Sequence, residues 1–166
     1  MSNELTHINK DGGVHMVDVS AKEITERIAV AESEVGFPAE AFEVISKNGF
    51  NTKKGNLVQT AVLAGIGGVK RTSDLIPLCH NIPISKTEID ITPVENGFKI
   101  SCMVKTVGQT GVEMEALTGA SVAALCIYDM CKALSHDIIL GPTRLMEKKG
   151  GKRDFGRSGQ QITGKT

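Results

Sequence analysis

Residues 111–134 constrain the fold more than any other stretch. Ala116, Leu117, Ala120, Val122, Ala123, Ala124, Leu125, Ile127, Tyr128, Met130 and Cys131 are apolar or small around almost the whole circumference of a helix. A helix of that pattern is expected to be buried nearly all round. Thr110 and Glu113 read as a capping box at its start, and Ser135-His136-Asp137 closes it. A chain of 166 residues suffices for one core around such a helix. So small a domain is expected to leave one flank for a partner subunit.

The remaining segments follow from periodicity. Residues 84–106 read as a β-hairpin about Glu95-Asn96-Gly97, with Phe98, Ile100, Cys102 and Val104 on one face of the return strand. Thr25–Val35 carries two signals. Ser20 and Glu23 suggest a helix cap, while Ile28 and Val30 alternate with Arg27, Ala29 and Ala31 at the period of a strand, and the strand is favoured. Pro38 opens a short helix with Phe42, Ile45 and Ala41 on its apolar face. Asn51–Gly55 is a basic turn, and an apolar helix runs from Leu57 to Ile66 and stops at Gly67-Gly68. Ile138–Leu140 and Arg144–Lys148 make a last strand. The order indicates an α+β fold, with helices packed on one face of a mainly antiparallel sheet. One domain is expected over residues 1–155, with a mobile N-terminal arm at about 1–19. The polar end from Arg153, residues 156–166 above all, is expected to be disordered.

Composition narrows the function. Nineteen basic residues balance nineteen acidic ones, so no global field draws the chain to nucleic acid or an anionic membrane. One Tyr, five Phe and no Trp leave few platforms for stacking single-stranded bases. No run of about 18 apolar residues is present to cross a membrane. The four cysteines lack CxxC spacing, which suggests a reduced, cytoplasmic protein rather than a disulfide scaffold or zinc ribbon.

The chemistry-bearing residues lie in three places. On a helical projection at about 100° per residue, Met114, Thr118, Ser121, Asp129 and Lys132 share an arc roughly 80° wide. Asp129 and Lys132, three apart, can touch. In an otherwise apolar helix this pair is expected to line a cavity or interface. Glu113 and Glu115 fall in the first turn, where the helix dipole favours acids, and Glu115 is left without a capping task. The second place is Lys70–Ile84, where Pro77 and Pro83 stiffen the chain around Cys79-His80. Neighbours on an extended segment point to opposite faces, so the two do not form a nucleophile–base dyad. His80 is the acid/base candidate, with Cys79 turned to the core. The third is the recurrence of cations beside glycines, at Lys54-Gly55, Gly68-Val69-Lys70 and Gly151-Lys152. No P-loop is present, yet together these suit a small polyanion. The donor spacing suits no metal, and no cofactor is expected.

The stretch Lys70–His80, the helix residues Thr110–Thr118 and Ile127–Ala133, the opening Leu5–Asn9 with His15–Ser20, and Glu147–Lys152 together resemble the molybdenum cofactor biosynthesis protein C family, the cyclic pyranopterin monophosphate synthases. The resemblance covers about residues 4–155. It implies a ferredoxin-like subunit in a homohexamer, a trimer of dimers, with the site at a subunit interface. The implied substrate is a cyclised 7,8-dihydroguanosine triphosphate. The ring system is rearranged, a cyclic phosphate closes and pyrophosphate leaves. This is a phosphorus–oxygen lyase reaction with no cofactor. On matching positions, Asp129, Lys132, Lys54 and His80 would be catalytic. Leu78, Cys79, His80, Glu113, Met114 and Glu115 would line the nucleotide pocket, and Arg27, Lys70 and Lys152 would meet phosphates. Asn81 stands where the family usually has proline, and the segment after Lys152 is shorter than usual. The rival reading is a non-catalytic nucleotide-binding or scaffold subunit, in which the same charges only hold a ligand.

Overall fold

The computed structural model describes residues 12–157. β1 (Thr25–Gly36) is the central strand, so alternation decides over the cap signal. Its buried set is Arg27, Ala29, Ala31, Ser33 and Val35, while the larger Ile28 and Val30 face the other side. Small side chains point inward there because a helix lies close against them. After Pro38 comes α1 (Ala39–Lys47), which buries Ala41 and Ile45. The expected basic turn is a miniature hairpin, β2 (Asn51–Thr52) and β3 (Gly55–Asn56). Asn56 then caps α2 (Leu57–Lys70), its side-chain oxygen accepting from the Gln59 N–H at 3.1 Å.

α2 does not stop at Gly67-Gly68 but runs through them to Lys70, and a single turn, α3 (Thr72–Leu75), follows. The expected hairpin forms as β4 (Lys86–Val94) and β5 (Gly97–Gly108), with Asn96 alone in the turn taking a positive φ of 52°. Phe98, Ile100, Cys102 and Val104 are all fully buried. α4 (Glu113–Cys131) is followed by β6 (Ile139–Leu140), β7 (Arg144–Lys149) and β8 (Phe155–Gly156). The end of the chain, expected to leave the fold at Arg153, thus still pairs with β7 at Phe155 and Gly156. The rest of that tail, residues 158–166, and arm residues 1–11 lie outside the described residues.

The sheet runs β4-β5-β1-β7-β8, with β6 also on β1 and every pairing antiparallel. α2 and α4 pack together on one face. The order β1-α2-β4-β5-α4-β7 is the ferredoxin-like β-α-β-β-α-β unit, so the fold is α+β as the periodicity indicates. By length and composition α4 would suffice to cross a membrane, but here it lies against β1, β5 and α2 as the core helix. It is buried less completely than its composition predicts. Ala116, Ala120, Ala123 and Ile127 are covered, while Leu125 is 54% exposed. The helix is apolar all round, but the chain itself covers only part of it.

The two helices cross where both carry glycine. A Cβ on Gly65 would stand 2.5 Å from Ile89 Cδ1 and 2.9 Å from the Gly119 carbonyl oxygen, and a Cβ on Gly119 would stand 2.6 Å from Cys102 Sγ. The backbone oxygen cannot move aside without shifting a helix. Gly65→Ala is therefore expected to destabilise the protein by about 1–3 kcal/mol, against a helix-propensity gain of about 1 kcal/mol. Chemical denaturation of the variant measures the net loss.

Candidate active site

Two groups of polar side chains stand at opposite ends of α4. At its C-terminal end the β2–β3 hairpin brings Lys54 to Asp129, 75 positions further along the chain. Lys54 Nζ donates to Asp129 Oδ2 at 2.8 Å, and Lys132 Nζ lies 2.8 Å from Oδ1. One carboxylate thus carries a lysine on each oxygen. Hydrogen bonds and charge from Lys132, then Lys54, hold the Asp129 carboxyl down at about 2, and Asp129 raises Lys132 in return. The pair, expected to line a cavity or interface, stands open to solvent in this chain. The side chains of Lys54, Asp129 and Lys132 are 57%, 55% and 53% exposed, because they stand on the uncovered side of the helix end, opposite the buried Ile127 and Cys131.

At the N-terminal end, an open cleft of about 1120 Å³ lies between the start of β1, residues 109–113 and residues 148–153. Its cations include Arg27, Lys148, Lys149 and Lys152. Arg27 is 9% exposed, and its guanidinium donates to the carbonyls of Gly108 at 3.4 Å and Glu23 at 3.5 Å. Gly150 and Gly151 take φ of 85° and 87°, and a Cβ on Gly151 would strike that guanidinium. Asp154 secures the turn by accepting from the Gly150 N–H at 2.9 Å. Thr25 Oγ1, buried and without a partner among the described residues, belongs to a residue of the same wall.

Glu113 is not a cap. The helix begins after Val112 with no side-chain cap bond, and Glu113 pairs instead with Lys148 Nζ at 2.9 Å. Charge pairing across 35 positions replaces the local bond that the Thr110/Glu113 spacing suggests. Glu115 sits inside, 4% exposed, while Met114 on the expected stripe is 38% exposed. Burial pushes the Glu115 carboxyl up, its own backbone N–H opposes this, and Glu113 adds repulsion. The loop after α3 comes to the same end of the helix. Burial, with a smaller contribution from Glu115, raises the Cys79 thiol. Cys79 and His80 are both half-buried, so neither is turned wholly to the core, and His80 Nε2 lies 2.8 Å from the Val17 carbonyl oxygen. Leu78 is half-buried beside them.

The structure therefore joins Lys54, Asp129 and Lys132 in one group, and Arg27, Glu113 and Lys152 around one cleft. Cys79 comes near Glu115. Lys70 is exposed at the end of α2 and lines neither group. Lys148 and Lys149 are missing from the sequence reading. Strand alternation carries the signal for the first, because Lys148 pairs with Ala29, a residue of the buried face, and so is an inward-pointing charge.

Glu115 yields a pH test. Its folded pKa lies above the unfolded 4.5, so above that point the native state holds more protons than the unfolded one and stability falls as pH rises. Glu115→Gln is expected to flatten this decline above pH 4.5 and to raise stability at neutral pH. Thermal melts of both proteins between pH 4 and 8 check it.

Residues 16–151 match the MoaC family. A cyclic pyranopterin monophosphate synthase of Xanthomonas oryzae pv. oryzae is 55% identical over 156 residues, covering 93% of this chain and 94% of the relative. One of Xanthomonas campestris pv. campestris is 54% identical over 157 residues, with the same coverage. With a family match over most of its length and relatives more than half identical along nearly all of it, this chain belongs to the MoaC family.

Proposed function

We propose that this protein is a cyclic pyranopterin monophosphate synthase acting in molybdenum cofactor biosynthesis. In this reading it is a phosphorus–oxygen lyase of the cytoplasm. It takes a cyclised 7,8-dihydroguanosine triphosphate, rearranges its rings, closes the cyclic phosphate and releases pyrophosphate. The observation that carries this is the Asp129 carboxylate gripped by Lys54 and Lys132 from separate elements. A carboxyl held at about 2 is a poor base as it stands. Phosphates arriving as competing acceptors would draw the lysines away, and Asp129 would become more basic only when substrate is bound. The lysines would then neutralise charge on the departing pyrophosphate. His80 is a second proton-handling group. The cleft of Arg27, Lys148 and Lys152 suits the triphosphate, and Leu78, Cys79, Met114 and Glu115 suit the nucleotide body.

Sixteen residues of helix separate Glu113 from Asp129, about 24 Å at 1.5 Å per residue. That exceeds the reach of one nucleotide between the two groups of a single chain. We assign the complete site to two subunits, the cleft of one facing the Lys54-Asp129-Lys132 group of another, within a homohexamer built as a trimer of dimers. The incomplete burial of α4 supports such an assembly.

Pyrophosphate release from the cyclised nucleotide by the purified protein tests the activity, and its absence refutes the reading. Mixing Asp129→Asn with Lys148→Ala protein, each inactive alone, is expected to restore about a quarter of wild-type activity after statistical exchange, because about half the dimers are mixed and each of these holds one intact site of two. No recovery after verified subunit exchange would place the whole site in one chain.

A further inference from the structure

We infer that the segment leading into β1 is a positioning element for His80, and that the Val17 carbonyl fixes which ring nitrogen carries the proton. The inference rests on the role given to His80 above. A backbone carbonyl only accepts, so the 2.8 Å contact is a hydrogen bond only if Nε2 carries the proton. In the neutral ring that leaves Nδ1 as the acceptor. Among the described residues Nδ1 has no partner.

The carbonyl is held in place by ties on the residues that follow it. Asp18 Oδ1 accepts from the Ser20 N–H at 2.8 Å and from the Ser20 hydroxyl at 2.7 Å, closing a turn directly after Val17. Lys22 N–H then donates to the Val19 carbonyl at 2.9 Å. Gln109 Nε2 donates to the carbonyls of Ser20 at 3.0 Å and Lys22 at 3.2 Å, tying the turn to the end of β5 and to the cleft wall. Val17 and Val19 are half-buried while Asp18 and Ser20 face out, which docks the segment by its apolar side. The chain thus reaches 63 positions ahead to present one acceptor to one imidazole. His80 enters the reaction with Nδ1 open to take a proton and Nε2–H already engaged. The arm that supplies the acceptor also borders the phosphate cleft, so ordering of one orders the other.

Imidazole ¹H–¹⁵N NMR on the full-length chain reads the proton position directly, with His80→Gln identifying the signal. The expected wild-type result is protonation at Nε2 in the neutral ring, with a ring N–H that exchanges slowly enough to be seen. Asp18→Ala combined with Gln109→Ala removes both side-chain ties, leaving the Lys22–Val19 backbone bond and the core untouched. In that variant, exchange of the His80 N–H is expected to be at least tenfold faster, with the melting temperature nearly unchanged. Val17→Gly, which loosens the backbone itself, should do the same, and Val17→Ile should preserve the signal. Protonation at Nδ1 in the wild type overturns the inference, as does an N–H equally persistent in both loosened variants. A protein that lacks synthase activity refutes the functional reading instead, and the ring proton still decides the role of Val17.

Discussion

Replacing Asp129 with Asn is expected to lower kcat for pyrophosphate release by about 10²–10⁴-fold, the range general acid–base groups contribute. The substitution keeps size and shape but removes the charge that gathers Lys54 and Lys132, each now 2.8 Å from a separate oxygen. Lys132→Ala leaves Asp129 with one lysine and should cost a comparable factor. Neither change should disturb folding, since all three side chains are more than half exposed and solvent screens exposed ion pairs so that they add little to stability. Activity and stability therefore separate cleanly. A variant that keeps wild-type turnover would remove this group from the chemistry, and one that melts early would make the loss structural.

Phe98→Ala is expected to give the largest stability loss, about 3–5 kcal/mol. Phe98 is fully buried and meets three other rings, with centroids 5.8 Å from Phe37, 5.5 Å from Phe42 and 5.2 Å from Phe50. Four of the chain's five phenylalanines thus gather between α1, the β2–β3 hairpin and the start of β5. Edge-to-face pairs add about 0.5–1.5 kcal/mol each beyond burial, and a truncated ring leaves a cavity that neighbouring aromatic planes fill poorly. For a chain of this length the loss corresponds to a melting-temperature drop on the order of 10 °C, which calorimetry measures. The same cluster seats the hairpin that carries Lys54, since Leu57 N–H donates to the Phe50 carbonyl at 2.8 Å beside it. Turnover should consequently fall at temperatures where the variant is still folded.

Local pattern explains how much of this was legible in advance. Alternation placed β1, β4 and β5 because a strand's two faces follow from its own backbone. Asp129 and Lys132 were paired correctly because three residues along a helix always share a side. The same reasoning failed where a local partner competes with a distant one. Thr110 and Glu113 have capping-box spacing, but Lys148 offers Glu113 an ion pair, and the cap does not form. Gly67-Gly68 looks like a stop, yet the helix continues because Gly68 sits against Val122 with no room for a side chain. Helix-breaking propensity of about 1 kcal/mol yields to packing.

The sequence by itself determined the strands β1, β4, β5 and β7, the two long helices and most of the candidate site's residues, Lys148 and Lys149 excepted, and the quoted motifs were enough to suggest the family. Only the tertiary structure decided which charges meet. Lys54 reaches Asp129 because α2 lies along α4, and that crossing depends on Gly65 and Gly119. Lys148 reaches Glu113 because β7 pairs with β1 in a register that turns Lys148 inward. Opposite charges attract at any sequence separation. A strand's face or a helix's side is local geometry, whereas a contact across 75 positions exists only after the whole core has closed.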